Sequence, residues 1–267
     1  MKYEKYAFTL AEGSRRTGDS AANFGKTLRL LRFAGFTLAE VLITIGIIGV
    51  VAALTIPSLA TNITHRKLKS QFEKAYSEVN QAARAFYADT DSTVHDYDVN
   101  VNAFYTSQVL EKFMSYYKSP SKTSNDSWAT FDNLNGIKNL NLNGYEITGY
   151  PCDRSYASSD IIGRTWVMDD SSRNLDYGPK ICIDINGIDK PNRWGYDRFV
   201  FVFTENNAVV PYTGNDSLNL VKQMSNETSI ARYCRYDMES IAHTCAYFAL
   251  RNISPTGNGD YWNDFLK

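Results

Sequence analysis

The stretch best suited to hold a ligand is Asp184-Ile185-Asn186-Gly187-Ile188-Asp189-Lys190-Pro191-Asn192-Arg193-Trp194-Gly195-Tyr196-Asp197. Asp184, Asn186, Asp189, Asn192 and Asp197 offer hard oxygen ligands, and Gly187 and Gly195 permit tight turns. Ca²⁺ takes about six to eight such oxygens in a flexible loop. The spacing is not that of an EF-hand, because Ile188 stands where the third ligand should be. The competing reading is a connector rich in Asx turns, whose side chains cap its own backbone. That second reading is the one we favour from the residues.

Four cysteines, Cys152, Cys182, Cys234 and Cys245, lie in the second half of the chain. None forms a C-x-x-C pair, and the histidines are only His65, His95 and His243, so zinc ligation at the usual spacings is not visible. An even count reads as disulfides where the domain is exported, with three possible pairings. Nearness in sequence favours Cys234–Cys245, and Cys152–Cys182 follows by elimination. Four buried free thiols are the alternative where the compartment is not oxidising. No catalytic constellation is present: there is no G-x-S-x-G, no H-E-x-x-H and no Gly-rich phosphate loop. Asp169 and Asp170 make a poor carboxylate pair, because neighbours on a strand point to opposite faces.

These residues hang on an apolar segment. No charged side chain appears from Val41 to Thr64, a run of 24 residues. About 20 apolar residues suffice to cross a bilayer core as a helix. Gly46 and Gly49 are tolerable there, since membrane helices carry more Gly than soluble ones. One acid, Glu40, sits at the lip of the run. Beyond Pro57 a helical pattern resumes, with Leu68, Phe72, Ala75, Val79, Ala82 and Phe86 on one face. Together the two halves predict a helix over about 37–88, roughly 75–80 Å long, kinked at Pro57. The stripe reads as packing on the chain's own domain in preference to a coiled-coil seam.

The segment beginning Gly35-Phe36-Thr37-Leu38-Ala39-Glu40 resembles the N-terminus of type IV pilins and type II secretion pseudopilins. Members of that family carry a leader ending in Gly, a following Phe that becomes the methylated N-terminus, an acid at the fifth mature position and a Pro near the twenty-second. Counted from Phe36, Glu40 and Pro57 fall in that register. The match covers residues 35 to about 60. It implies a prepilin peptidase cutting between Gly35 and Phe36, N-methylation of Phe36, and assembly with other pilin or pseudopilin subunits through Glu40. It also implies storage in the bacterial inner membrane, with the N-terminus cytoplasmic and the domain outside, before entry into a filament. The 184–197 loop resembles the Asp-x-Asn-Gly…Pro-Asn…Gly-x-Asp loop of a pilin-like group of secreted-domain proteins, and some pseudopilins bind calcium in a loop near the end of the sheet.

The implied fold is α+β and pilin-like, a long kinked helix packed on an antiparallel sheet. Residues 1–35 would be a cleaved leader, 36–60 the transmembrane half of the helix, 61–89 its amphipathic half and 90–267 the exported globular domain. The leader is long for the family. Phe8-Thr9-Leu10-Ala11-Glu12 repeats Phe36-Thr37-Leu38-Ala39-Glu40, but Gly13-Ser14-Arg15-Arg16 follows it, so it cannot anchor. We read it as a duplicated or misassigned start. Lys26, Arg29 and Arg32 before the apolar run favour a cytoplasmic N-terminus, although Arg66, Lys67 and Lys69 flank the other end.

Local patterns predict a short helix over 104–118 and loops over 119–126 and 133–143. They predict strands over 145–150, 164–168, 180–185 and 198–204. Turn residues Asn206-Asn207 and a return strand over 208–211 complete a hairpin. Further on come a helical patch at 218–224, a last strand near 246–251 and an aromatic end at Tyr261-Trp262. The chain of 267 residues, 43% hydrophobic and 21% charged, is globular in composition. About 180 residues outside leader and helix suffice for one core. Residues 1–35 carry net +4, leaving −5 for the rest, which argues against a nucleic-acid surface. The function expected is a non-enzymatic filament subunit. The alternatives are an anchored adhesin or glycan-binding domain, and, less favoured, an anchored hydrolase.

Overall fold

The computed structural model describes residues 36–101, 106–117, 122–124, 131, 136, 138–148, 151–152, 156–169, 179–214, 224–237 and 240–267. Contacts divide the chain into two units, Met1–Val51 and Ala52–Lys267. Gly35 and the leader lie outside the described residues, as do Asp170 and residues 218–223 of the expected helical patch.

Helix α1, Leu38–Thr90, runs through both units for 53 residues. Pro57 sits inside it without ending it. Proline supplies no backbone N–H, and the neighbouring hydroxyls turn inward: Ser58 Oγ donates to the Thr55 carbonyl at 3.0 Å and Thr61 Oγ1 to the Pro57 carbonyl at 3.0 Å. In the first unit the described residues, 36–51, are all exposed.

The second unit has an α+β core. Helix α1 buries the six positions of the expected stripe, and His65 and Ala83 with them. Against it lies a six-stranded antiparallel sheet in the order β1-β2-β3-β4-β5-β6. The strands are β1 (Lys122–Ser124), β2 (Tyr156–Ser159), β3 (Thr165–Asp169), β4 (Lys180–Asp184), β5 (Arg198–Phe203) and β6 (Val209–Pro211). Register sets Trp166, Ile183 and Phe199 in one row and Met168, Ile181 and Phe201 in the next, all on the same face. Phe72 of α1 meets that face edge-on at Phe199, with ring centroids 4.6 Å apart, and also touches Phe201 and Trp262.

The opposite face is mixed. It carries Val167, Cys182, Val200 and Val202, yet also Asp169, Lys180, Asp184 and Arg198, all buried. These four pair across strands, Lys180 Nζ to Asp169 Oδ2 at 3.0 Å and Arg198 Nε to Asp184 Oδ2 at 2.9 Å. Pairing is what makes buried charge tolerable. Phe131 packs over Arg198 and Tyr212 over Lys180.

Other elements depart from the sequence expectation. The expected last strand near 246–251 is a helix, α5 (Cys245–Arg251). Its buried residues, Cys245, Ala246, Phe248 and Ala249, follow helical rather than alternating spacing. Asn252 in the left-handed region (φ 52°) ends it. The expected strand at 145–150 reduces, over its described residues, to a single bridge between Glu146 and Leu140. Strand β1 lies inside the expected 119–126 loop, and helix α2 (Val94–Val101) and strand β2 carried no recognisable signal. Helix α3 (Thr106–Ser115) falls within the expected 104–118. A short helix α4 (Glu227–Ala231), capped by Asn226, and a π-helical turn, Tyr261–Phe265, complete the described elements. Met224, the described end of the 218–224 patch, is not helical.

Helix α1 is strapped to the sheet by one buried cation. Arg164, just before β3, bonds Glu78 Oε2 of α1 at 2.6 Å and Asp160 Oδ2 at 2.8 Å, and contacts the Tyr117 hydroxyl. Tyr117 also donates to Glu78 at 2.5 Å.

Candidate functional site

Two regions carry the residues singled out above. The first is the start of α1. Thr37 and Glu40 form a reciprocal capping box. Thr37 N and Oγ1 donate to Glu40 Oε2 at 2.8 and 2.9 Å, and Glu40 N donates to Thr37 Oγ1 at 3.2 Å. Glu40 therefore has a partner within its own chain. Phe36 precedes the helix and is exposed, as are the large apolar side chains from Leu38 to Ile63. The helix is long and apolar enough to cross a membrane, and none of its most apolar window is buried in the protein. Around Gly46 and Gly49 an added methyl would meet nothing within 4 Å.

The second region is the β4–β5 connection. Asp184 is held by Arg198. Asp197 accepts the backbone N–H of Asn192 at 2.7 Å and of Arg193 at 2.6 Å. Asn186 and Asn192 donate from their side-chain amides to the carbonyls of Lys190 and Ile188 at 3.3 and 3.4 Å. Asp189 is exposed. Burial raises the pKa of Asp197 to about 6. Burial also pushes Asp184 well up, with the Asp197 charge adding to it. The loop thus spends much of its polar capacity on its own backbone and on Arg198. Among the described residues no group of three or more His, Cys, Asp or Glu side chains is placed to hold a metal ion.

The tightness of this loop comes from glycine. Gly187 has φ 69°, and a Cβ there would stand 1.9 Å from the Gly163 carbonyl oxygen. Gly195, at φ 78°, faces Cys245 Sγ, 2.7 Å from where its Cβ would be. Gly195 thus joins the loop to the second disulfide.

The cysteines pair as Cys152–Cys182 and Cys234–Cys245, with Cα atoms 6.1 and 4.9 Å apart. The first ties the mixed face of β4 to the loop before β2. The second pins α5 to the turn after α4.

Sequence reading missed a cleft of about 570 Å³ beside the second disulfide, lined by Arg232, Arg235, Tyr236, Pro255, Asp264, Phe265 and Lys267 among others. Arg235 pairs with Asp237 at 2.6 Å, and Lys267 Nζ lies 5.2 Å from the Tyr236 ring centre. The residues come from α4 and the turn after it, the loop after α5, and the C-terminal π-helical turn with the last residue, so only the folded chain assembles it.

No family model matches this chain, no curated protein matches it, and no solved structure matches its fold.

Proposed function

We propose that the chain is a non-enzymatic, pilin-like structural subunit, a minor pilin or pseudopilin of a type IV pilus or type II secretion-like filament. A prepilin peptidase cuts after Gly35, Phe36 becomes the methylated N-terminus, and the protein waits in the bacterial inner membrane with its domain outside. What carries the reading is the register of Gly35, Phe36, Glu40 and Pro57 in the first half of a helix whose large apolar side chains from Leu38 to Ile63 are exposed.

The physical argument runs through charge and apolar area. Charge at the edge of a bilayer is costly unless paired. Cleavage creates an ammonium on Phe36, and a neighbouring subunit's Glu40 is the acid at the matching level. Both Thr37 bonds fall on Glu40 Oε2, and a carboxylate has further acceptor sites, so Glu40 can meet that ammonium while the capping box holds it in place. The apolar half-helices then bury one another, and Gly46 and Gly49 leave room for close approach.

The test is the intact mass of the protein taken from membranes, with its N-terminal sequence. The expected form starts at methylated Phe36. A form starting at residue 1, or at any other position, would overturn the reading. In addition, Glu40→Ala should leave a processed protein that stays in the membrane and is lost from filaments by at least tenfold. Wild-type incorporation would refute the role of Glu40.

The cleft beside Cys234–Cys245 favours a second reading, an anchored adhesin or glycan-binding domain, since half-buried Tyr236 offers aromatic surface and exposed Arg232 and Arg235 offer donors. A glycan array with the fragment from residue 61 onward separates the two. The fragment must include 61–90, because that half of α1 is part of the core.

A further inference from the structure

We propose that the end of the sheet bearing the β2–β3 turn and the β4–β5 loop is a lipid-contacting surface, resting on an anionic phospholipid bilayer while the chain is membrane-anchored. This rests on the membrane-anchored reading above.

Three isoleucines stand out at that end: Ile161 and Ile162 on the β2–β3 turn and Ile188 on the β4–β5 loop, exposed by 66%, 54% and 69%. Scattered exposed apolar residues need no explanation. These three share one place. Thr165, Asp184 and Arg198 lie side by side in register, so both connections leave the same end of the sheet. The backbones of Gly163 and Gly187 touch, with no room for a side chain at Gly187. The turn is stiff as well. Asp160 Oδ1 accepts the N–H of Ile162 and of Arg164, each at 3.0 Å, and its Oδ2 holds Arg164. A rigid apolar tip costs little ordering entropy when it is covered.

What would cover it follows from α1. His65 is the first buried residue of the helix, and its Nε2 is 2.8 Å from the hydroxyl of Tyr196, two residues before β5. The helix therefore joins the domain at this same end of the sheet. Immediately upstream, Leu54, Ile56, Leu59 and Ile63 are exposed and apolar, and the residues between them and His65 include the uncharged Thr61, Asn62 and Thr64, so no charged spacer separates the membrane-compatible run from the domain. Arg66 and Lys67, both exposed, follow His65, and exposed Lys190 lies on the β4–β5 loop two residues after Ile188, with exposed Asp189 between them. Apolar side chains on segments that carry three exposed cations against one exposed acid, Asp189, fit an interface with anionic headgroups.

The test uses the full chain, one copy per nanodisc, in anionic phospholipid brominated high on the acyl chains. Tryptophan is placed by Ile161→Trp or Ile188→Trp, and by Asn206→Trp in the β5–β6 turn at the opposite end of β5. The chain already holds four Trp, so the added residue is read as the difference from the parent; the expected result is at least twofold quenching of that added emission at 161 and 188, and none of it at 206. Single-copy discs remove a second chain as the covering partner. Equal quenching at all three positions, or none at 161 and 188, overturns the proposal. Carbonate extraction of native membranes distinguishes the two failures. A protein that resists extraction but shows no quenching loses only the surface contact. A protein released by carbonate loses the anchor, and the surface contact with it.

Discussion

His65 lies between the Tyr196 ring and the backbone of Trp262, and burial lowers its pKa below the ordinary imidazole value. The folded state thus prefers neutral imidazole. Its contribution to stability is complete above about pH 6.5, the unfolded value, and fades as pH falls through that value towards the lower folded one. Asp197 acts in the opposite sense. Its folded pKa is raised to about 6, so folding gains as pH falls and the buried carboxylate takes up a proton. The two offset each other between about pH 7 and pH 5. Urea unfolding of the parent and His65→Gln at pH 7.5 and 5.5 should separate them. The parent's advantage over the variant should shrink at the lower pH, and an advantage that is equal or larger there would contradict the assignment. Gly187 is the other decisive single position. Gly187→Ala puts a methyl into the Gly163 carbonyl at a left-handed backbone, and should cost about 2 kcal/mol or more, read from the urea midpoint.

At the scale of elements, α1 has two halves with different partners. The half from His65 onward is built into the core, where Phe72 touches Phe199, Phe201 and Trp262. Phe72→Ala should cost about 3–5 kcal/mol in the same assay, with little effect on membrane insertion, because residues 41–63 are untouched. Helix α5 shows where local pattern misleads. Its seven residues, Cys-Ala-Tyr-Phe-Ala-Leu-Arg, mix aromatic and small side chains and are too short to display a period. The Cys234–Cys245 bond and the packing of Phe248 and Ala249 select the helix. Strands β3, β4 and β5 were legible because they are long runs of β-branched and aromatic residues. Strands β1 and β2, of three and four residues and rich in Ser, take their extended form from pairing with a neighbour.

For the molecule as a whole, two disulfides close intervals of 30 and 11 residues around one core. Each is expected to stabilise the domain by about 2–4 kcal/mol through the unfolded chain. Replacing Cys152 and Cys182 together by Ala should lower stability by that amount in urea, and an unchanged midpoint would show the bond to be dispensable. Sequence by itself determined the apolar run from Val41 to Thr64, the helical stripe after it, the broad α+β class and the strongest strands. Each of these is written in neighbouring residues, as an absence of charge, a period or a propensity. Tertiary structure alone decided what the acids of the 184–197 loop meet, why Glu78 faces Arg164 across 86 residues of chain, and that Ile161, Ile162 and Ile188 share one end of the sheet. A charge takes its partner, and an exposed side chain its neighbours, from strand order and backbone contact, and neither is encoded within the reach of a local pattern.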